Sequence, residues 1–185
     1  IVGSHGLLSS SFVSLNSVNG QIVNDPGTAA VLRASVGVLN ASAGIGSRVD
    51  PLRTDADQME LRIRQTGSIY IDETDELQVT ATAPDGSISI TSGAALTVGR
   101  TEVFNHREEN VSELVAQSGD VTIDGLVYKT VGNSEQLDVR IVAENGAIFA
   151  GPALHGSAVR AFNVELTSAD GIGAAHRPIQ TAVED

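Results

Sequence analysis

The densest group of chemically capable side chains in this sequence is Asp72, Glu73, Asp75 and Glu76, which follow the short apolar run Ile69-Tyr70-Ile71. Oxygen-rich turns suit calcium, a cation that takes about six to eight oxygen ligands, and Asp72, Asp75 and Glu76 are the candidate ligands here. Neither the EF-hand spacing nor a Gly-Gly-x-Gly-x-Asp repeat is present, so the first reading is a solvated acidic turn and the second is a calcium site. A second set, Asp55 and Asp57 with Arg62 and Arg64, has the residue types with which a β-helical polysaccharide lyase or hydrolase acts on sugar chains. The same residues alternate with Met59, Leu61 and Ile63, which explains them equally well as the outward face of one strand.

Other familiar chemistry is absent. Gly44-Ile45-Gly46 and Gly171-Ile172-Gly173 lack the third glycine of a dinucleotide loop, and Pro51 and Pro178 lie five residues past each second glycine, where the phosphate-binding helix would have to run. They read as tight turns. His5, His106, His155 and His176 are at least 21 residues apart and show no metal-ligand spacing. No Gly-x-Ser-x-Gly elbow supports a serine hydrolase. Asn40-Ala41-Ser42 and Asn110-Val111-Ser112 match the glycosylation triplet, a pattern frequent by chance. We therefore expect no catalytic residues, no resident cofactor and no enzymatic activity.

The elements that would position any such site are short and aliphatic. The chain has 185 residues, 41% of them hydrophobic, yet only 3% aromatic, so its core must be filled by Val, Ile, Leu and Ala. A formal charge of −12, with Lys129 the single lysine, excludes a nucleic-acid partner, because phosphate neutralisation needs a basic surface. No apolar run reaches the roughly 20 residues that span a bilayer, so no membrane span is expected. There is no cysteine to form disulfides. Asx-Gly turn signals at Asn19-Gly20, Asp85-Gly86, Asp124-Gly125, Asn145-Gly146 and Asp170-Gly171 cut the sequence into short pieces whose apolar residues repeat every second position. Only Glu102 to Gln117 carries a weak 3.6-residue period, and that segment reads as helix or loop.

Two repeats organise these strands. At an offset of 19, Ile69, Ile71, Leu77 and Val79 fall on Ile88, Ile90, Leu96 and Val98, as if successive coils of a solenoid stacked directly. At an offset of 127, residues 31–58 match residues 158–185, pairing Arg33 with Arg160, Leu39 with Leu166, Gly44 with Gly171, Gly46 with Gly173, Pro51 with Pro178 and Thr54 with Thr181. A turn glycine followed two places later by a β-branched residue recurs at Gly20, Gly67, Gly86, Gly119 and Gly146.

The run from Gly44 through Pro51-Leu52-Arg53-Thr54 and the alternating strand to Gly67-Ser68-Ile69-Tyr70-Ile71 resembles the repeats of filamentous-haemagglutinin-type proteins, large repetitive bacterial surface adhesins. Residues 171–184 match the first half of that pattern. The resemblance implies export, an extracellular or cell-surface location, and a right-handed parallel β-helix.

With coils of roughly 20 residues, the expectation is an all-β solenoid of about eight to nine coils, a rod on the order of 40 Å long. The expected role is a non-enzymatic structural or adhesive segment of a larger secreted protein. Its expected contacts are neighbouring solenoid repeats, copies of itself, or host and cell-surface glycans or proteins. The alternatives are a self-assembling filament subunit and the polysaccharide-active enzyme above. The second copy of the 127-residue unit stops before its alternating strand, which predicts that the chain is one portion of a longer polypeptide.

Overall fold

The computed structural model describes residues 8–24, 31–104, 111–129, 138–152, 154, 156 and 158–183. Among these residues every regular element is a β-strand, and all the strand pairings between named strands are parallel. The chain is a parallel β-solenoid.

Three columns of strands form its walls. The first stacks Ile69–Glu73, Ile88–Ser92, Ser112–Ala116, Val139–Ala143 and Val164–Ser168. The second stacks the leading halves of Leu77–Ala83 and Leu96–Val103 with Val121–Ile123, Ala147–Ala150 and Gly171–Ile172. The third stacks the trailing halves of the same two strands with Val127–Lys129, Val159–Ala161 and Thr181–Val183. The long strands Leu32–Ala41 and Leu52–Ile63 run continuously around the corners, because each pairs with the next coil along most of its length.

The expected 19-residue register is realised residue for residue: Ile69 lies beside Ile88, Ile71 beside Ile90, Leu77 beside Leu96 and Val79 beside Val98. All eight side chains are buried. Period-two alternation turns them inward, and parallel stacking then places like on like, which fills a narrow interior without large rings. The stretch read as helix or loop over Glu102 to Gln117 is corrected where it is described. Ser112–Ala116 is a strand with Ser112, Leu114 and Ala116 inward, so the two-residue period outweighs the helical one; residues 105–110 lie outside the described set.

The expected eight to nine coils are also corrected. Ile22, Ile45, Ile69, Ile88, Ser112, Val139 and Val164 succeed one another along one column, which gives six turns and a length of about 30 Å at the usual strand spacing. Only the Ile69 to Ile88 step is as short as 19 residues, and the Ser112 to Val139 step takes 27. Walls fix the length of a strand, but corners accept inserted residues, so coil length varies where register does not.

The corner residues explain the glycine rhythm. At Gly46, with φ +65°, an added Cβ would sit 2.2 Å from the Tyr70 carbonyl oxygen and 2.6 Å from the Leu52 nitrogen. Only glycine fits this conformation and this approach. Gly46 opens a tight excursion closed by paired backbone bonds between Ser47 and Asp50 (3.0 and 3.2 Å). Its counterpart at an offset of 127 has the same construction: Gly173 at φ +72°, and paired bonds between Ala174 and Arg177 (3.1 and 2.9 Å).

The two copies do not occupy equivalent places in the solenoid. Ile45 stacks on Ile69 in the first column, whereas Ile172 stacks on Ile148 in the second. A shift of 127 residues is therefore not a whole number of turns. A three-walled solenoid tolerates this because each wall offers the same parallel ladder to an incoming strand.

Candidate functional site

The outward side chains of the first column form a ladder across five coils: Tyr70, Ser89, Glu113, Arg140 and Glu165, each opposite the next. Alternation sends them to solvent because Ile71, Ile90, Leu114 and Ile141 point inward from the same strands. Arg140 ties the ladder together, donating from Nη1 to Glu113 Oε1 at 2.7 Å and from Nε to Glu165 Oε1 at 3.2 Å. The bonds it donates to these two carboxylates raise the guanidinium above its already high ordinary pKa, so it stays charged at every accessible pH.

The Gly46 excursion stands beside this ladder and converts a flat wall into a groove. Arg48 and Pro51 from the excursion, with Ser87 and Val111 from the adjoining corner, join Tyr70, Ser89, Glu113, Arg140 and Glu165 around an open cavity of about 680 Å³. The excursion is held by Asn24, whose Nδ2 donates to Asp50 Oδ1 at 2.9 Å and to the Pro51 carbonyl at 2.6 Å. The groove thus presents hydroxyls, a phenol ring and paired charges to solvent.

The acidic turn is built differently from its sequence reading. Glu73 belongs to no solvated turn: it continues the inward phase of Ile69 and Ile71 and is 2% exposed. Its carboxylate accepts from Thr54 Oγ1 at 2.6 Å, from the Ala56 N–H at 3.1 Å and from the Thr74 N–H at 2.9 Å. Asp55, Glu73 and Asp75 bring carboxylate oxygens within 4.8 Å of one another, while Asp72 and Glu76 stand outside this group, exposed. Asp55 is engaged by Arg33 (2.8 Å) and Glu73 by its three donors. The set therefore offers fewer free oxygens than the six or more that calcium takes.

Burial pushes the Glu73 carboxyl above its ordinary pKa of 4.5; the bonds from Thr54, Ala56 and Thr74 pull it back only in part, and the Asp75 charge adds to the rise. The folded state thus holds this proton more tightly than the unfolded chain does. The contribution of Glu73 to stability is fully present below the ordinary value and is lost as pH rises through the raised one. We expect the urea midpoint of the native chain, measured relative to Glu73→Gln across about pH 4 to 8, to fall as pH rises. A flat or rising difference would contradict this assignment.

The lyase-type set does not converge. Asp55 is paired with Arg33, Asp57 is exposed, and Arg62 lies seven residues along the same strand from Asp55, opposite Asn40 and Thr82. Between them the strand turns a corner at the exposed Asp57 and Gln58, so Asp55 and Arg62 face outward from different walls. His176 is exposed on the Ala174–Arg177 turn, where Arg177 stacks on Phe149 at 4.6 Å; His5, His106 and His155 lie outside the described residues, as does Asn110. Asn40 is half-buried within strand Leu32–Ala41.

A further charged pair, absent from the sequence reading, lies inside the solenoid. Lys129 and Asp138 are 0% and 1% exposed in side chain and form an ion pair from Nζ to Oδ1. The second oxygen of Asp138 accepts from the Phe162 N–H at 3.1 Å and the Asn163 N–H at 3.0 Å. The signal was available: Lys129 is the single lysine and follows Val127 in the inward phase.

Compared with known proteins, the chain matches no family model, no curated protein and no solved structure.

Proposed function

We propose that this chain is a non-enzymatic structural and adhesive segment of a secreted bacterial surface protein, of the filamentous-haemagglutinin type that Gly44 to Ile71 resembles. The observation that carries the reading is the groove on the first wall. Its two carboxylates are committed to Arg140, which bridges Glu113 and Glu165, and Arg48 adds a further positive charge to the lining. Such an arrangement holds a ligand chain and does not turn it over. The continuous parallel ladder beneath it supplies a stiff support.

Beads coated with the folded chain should adhere to cell layers more strongly than beads coated with the heat-unfolded chain. Tyr70→Ala together with Arg48→Ala should remove most of the difference. Equal retention of folded and unfolded chains would defeat the adhesive reading. A second reading, processing of a polysaccharide in the same groove, is favoured by the sugar-compatible donor set. Release of shortened oligosaccharides by the native chain, lost in Glu113→Gln, would select it over the first.

A further inference from the structure

Lys129 and Asp138 close the corner between the third and first walls from inside. Lys129 ends strand Val127–Lys129, inward and stacked beside Val103, and Asp138 immediately precedes strand Val139–Ala143. Both are removed from water, so neither charge is relieved by solvent. An amine nitrogen and a carboxyl group held in contact inside the solenoid are the two reactants of amide formation, already placed by the fold.

The second oxygen of Asp138 is held as a reacting carbonyl oxygen needs to be. Two backbone N–H groups, from Phe162 and Asn163, donate to Oδ2 at 3.1 and 3.0 Å, while Oδ1 faces Lys129 Nζ. Paired N–H donors at one oxygen stabilise the negative charge that develops there when a nucleophile adds to the carbonyl carbon. They also fix which oxygen stays and which leaves.

We propose that Lys129 and Asp138 condense to an intramolecular amide in the folded protein. After the proton passes from Nζ to Oδ1, the nitrogen lone pair forms a bond to Asp138 Cγ. The carbonyl electron pair moves onto Oδ2, between the Phe162 and Asn163 N–H groups. A second proton moves from nitrogen to Oδ1, the Cγ–Oδ1 bond breaks, and one water departs as the Cγ=Oδ2 bond re-forms. No oxidant, reductant or further reactant is consumed. The product ties the third wall to the first through a covalent ring that spans residues 129–138, and it stands independently of the adhesive reading.

Mass spectrometry of the purified native chain tests this directly. The intact mass should be lower than the sequence mass by one water. Trypsin cuts after unmodified lysine, so the unfolded amide form should resist cutting at Lys129 and release residues 108–140 as one piece, one water lighter. Lys129→Arg and Asp138→Ala should each have the mass of their sequence. An intact mass equal to the sequence overturns the proposal. So does a water loss that leaves Lys129 cleavable, because it then belongs to a succinimide at one of the Asx-Gly turns.

Discussion

Replacing Gly67 with valine is expected to lower the unfolding free energy by roughly 2–6 kcal/mol, the combined scale of a strained backbone and an overpacked contact. Gly67 has φ +146°, and a Cβ there would meet the Ala43 carbonyl oxygen at 2.1 Å and its carbon at 2.4 Å. Both obstacles are backbone of the preceding coil, so no rotamer change can relieve them. The next coil meets the same limit, since a Cβ at Gly86 would lie 2.1 Å from the Gly67 carbonyl oxygen. Gly20 supplies the control: its nearest neighbour would be Ser17 Oγ at 3.5 Å, without a positive φ, and Gly20→Ala should stay within about 0.5 kcal/mol of the native chain. Thermal unfolding should separate the two variants by on the order of 10 °C for a chain of this size. A Gly67→Val protein that melts with the native one would mean that the coils do not approach so closely.

Lys129→Met carries the second large effect. It removes the nitrogen that joins Asp138 and leaves the freed carboxylate buried with two N–H donors and no cation, and the loss is expected to be at least about 3–5 kcal/mol, the usual cost of stranding one member of a buried pair. Adding Asp138→Asn removes the stranded charge while keeping an acceptor for the Phe162 and Asn163 N–H groups. The double variant should therefore be more stable than the sum of the two single losses implies, by about 1–3 kcal/mol in a double-mutant cycle of denaturant midpoints. Strict additivity would place Lys129 and Asp138 in separate environments. Surface pairs behave otherwise: Arg33 with Asp55 is half exposed, and its removal is expected to cost no more than about 1 kcal/mol.

These two sites differ in how far their sequence betrays them. Alternation at Met59, Leu61 and Ile63, turn glycines, and apolar identities at an offset of 19 were enough to establish an all-β solenoid and to name the residue pairs that stack. They suffice because a parallel ladder couples the side-chain period directly to the backbone, so inward positions follow from local pattern alone. The same pattern held Glu73 and Lys129 in the inward phase. Composition argued the other way for both, since carboxylates and ammonium groups are rarely buried without partners.

Partners were the missing quantity, and only the tertiary structure supplied them. Thr54 and the Ala56 N–H reach Glu73 from the neighbouring coil, and the Phe162 and Asn163 N–H groups reach Asp138 across 24 and 25 residues. The groove likewise depends on which wall receives the Gly46 excursion. Its duplicate at Gly173 lies on the next wall and does not face the Tyr70 to Glu165 ladder. Local sequence determines that a strand forms and which way its side chains point. Which coil lies above it depends on how many residues each corner absorbs, a count that the two-residue period does not encode.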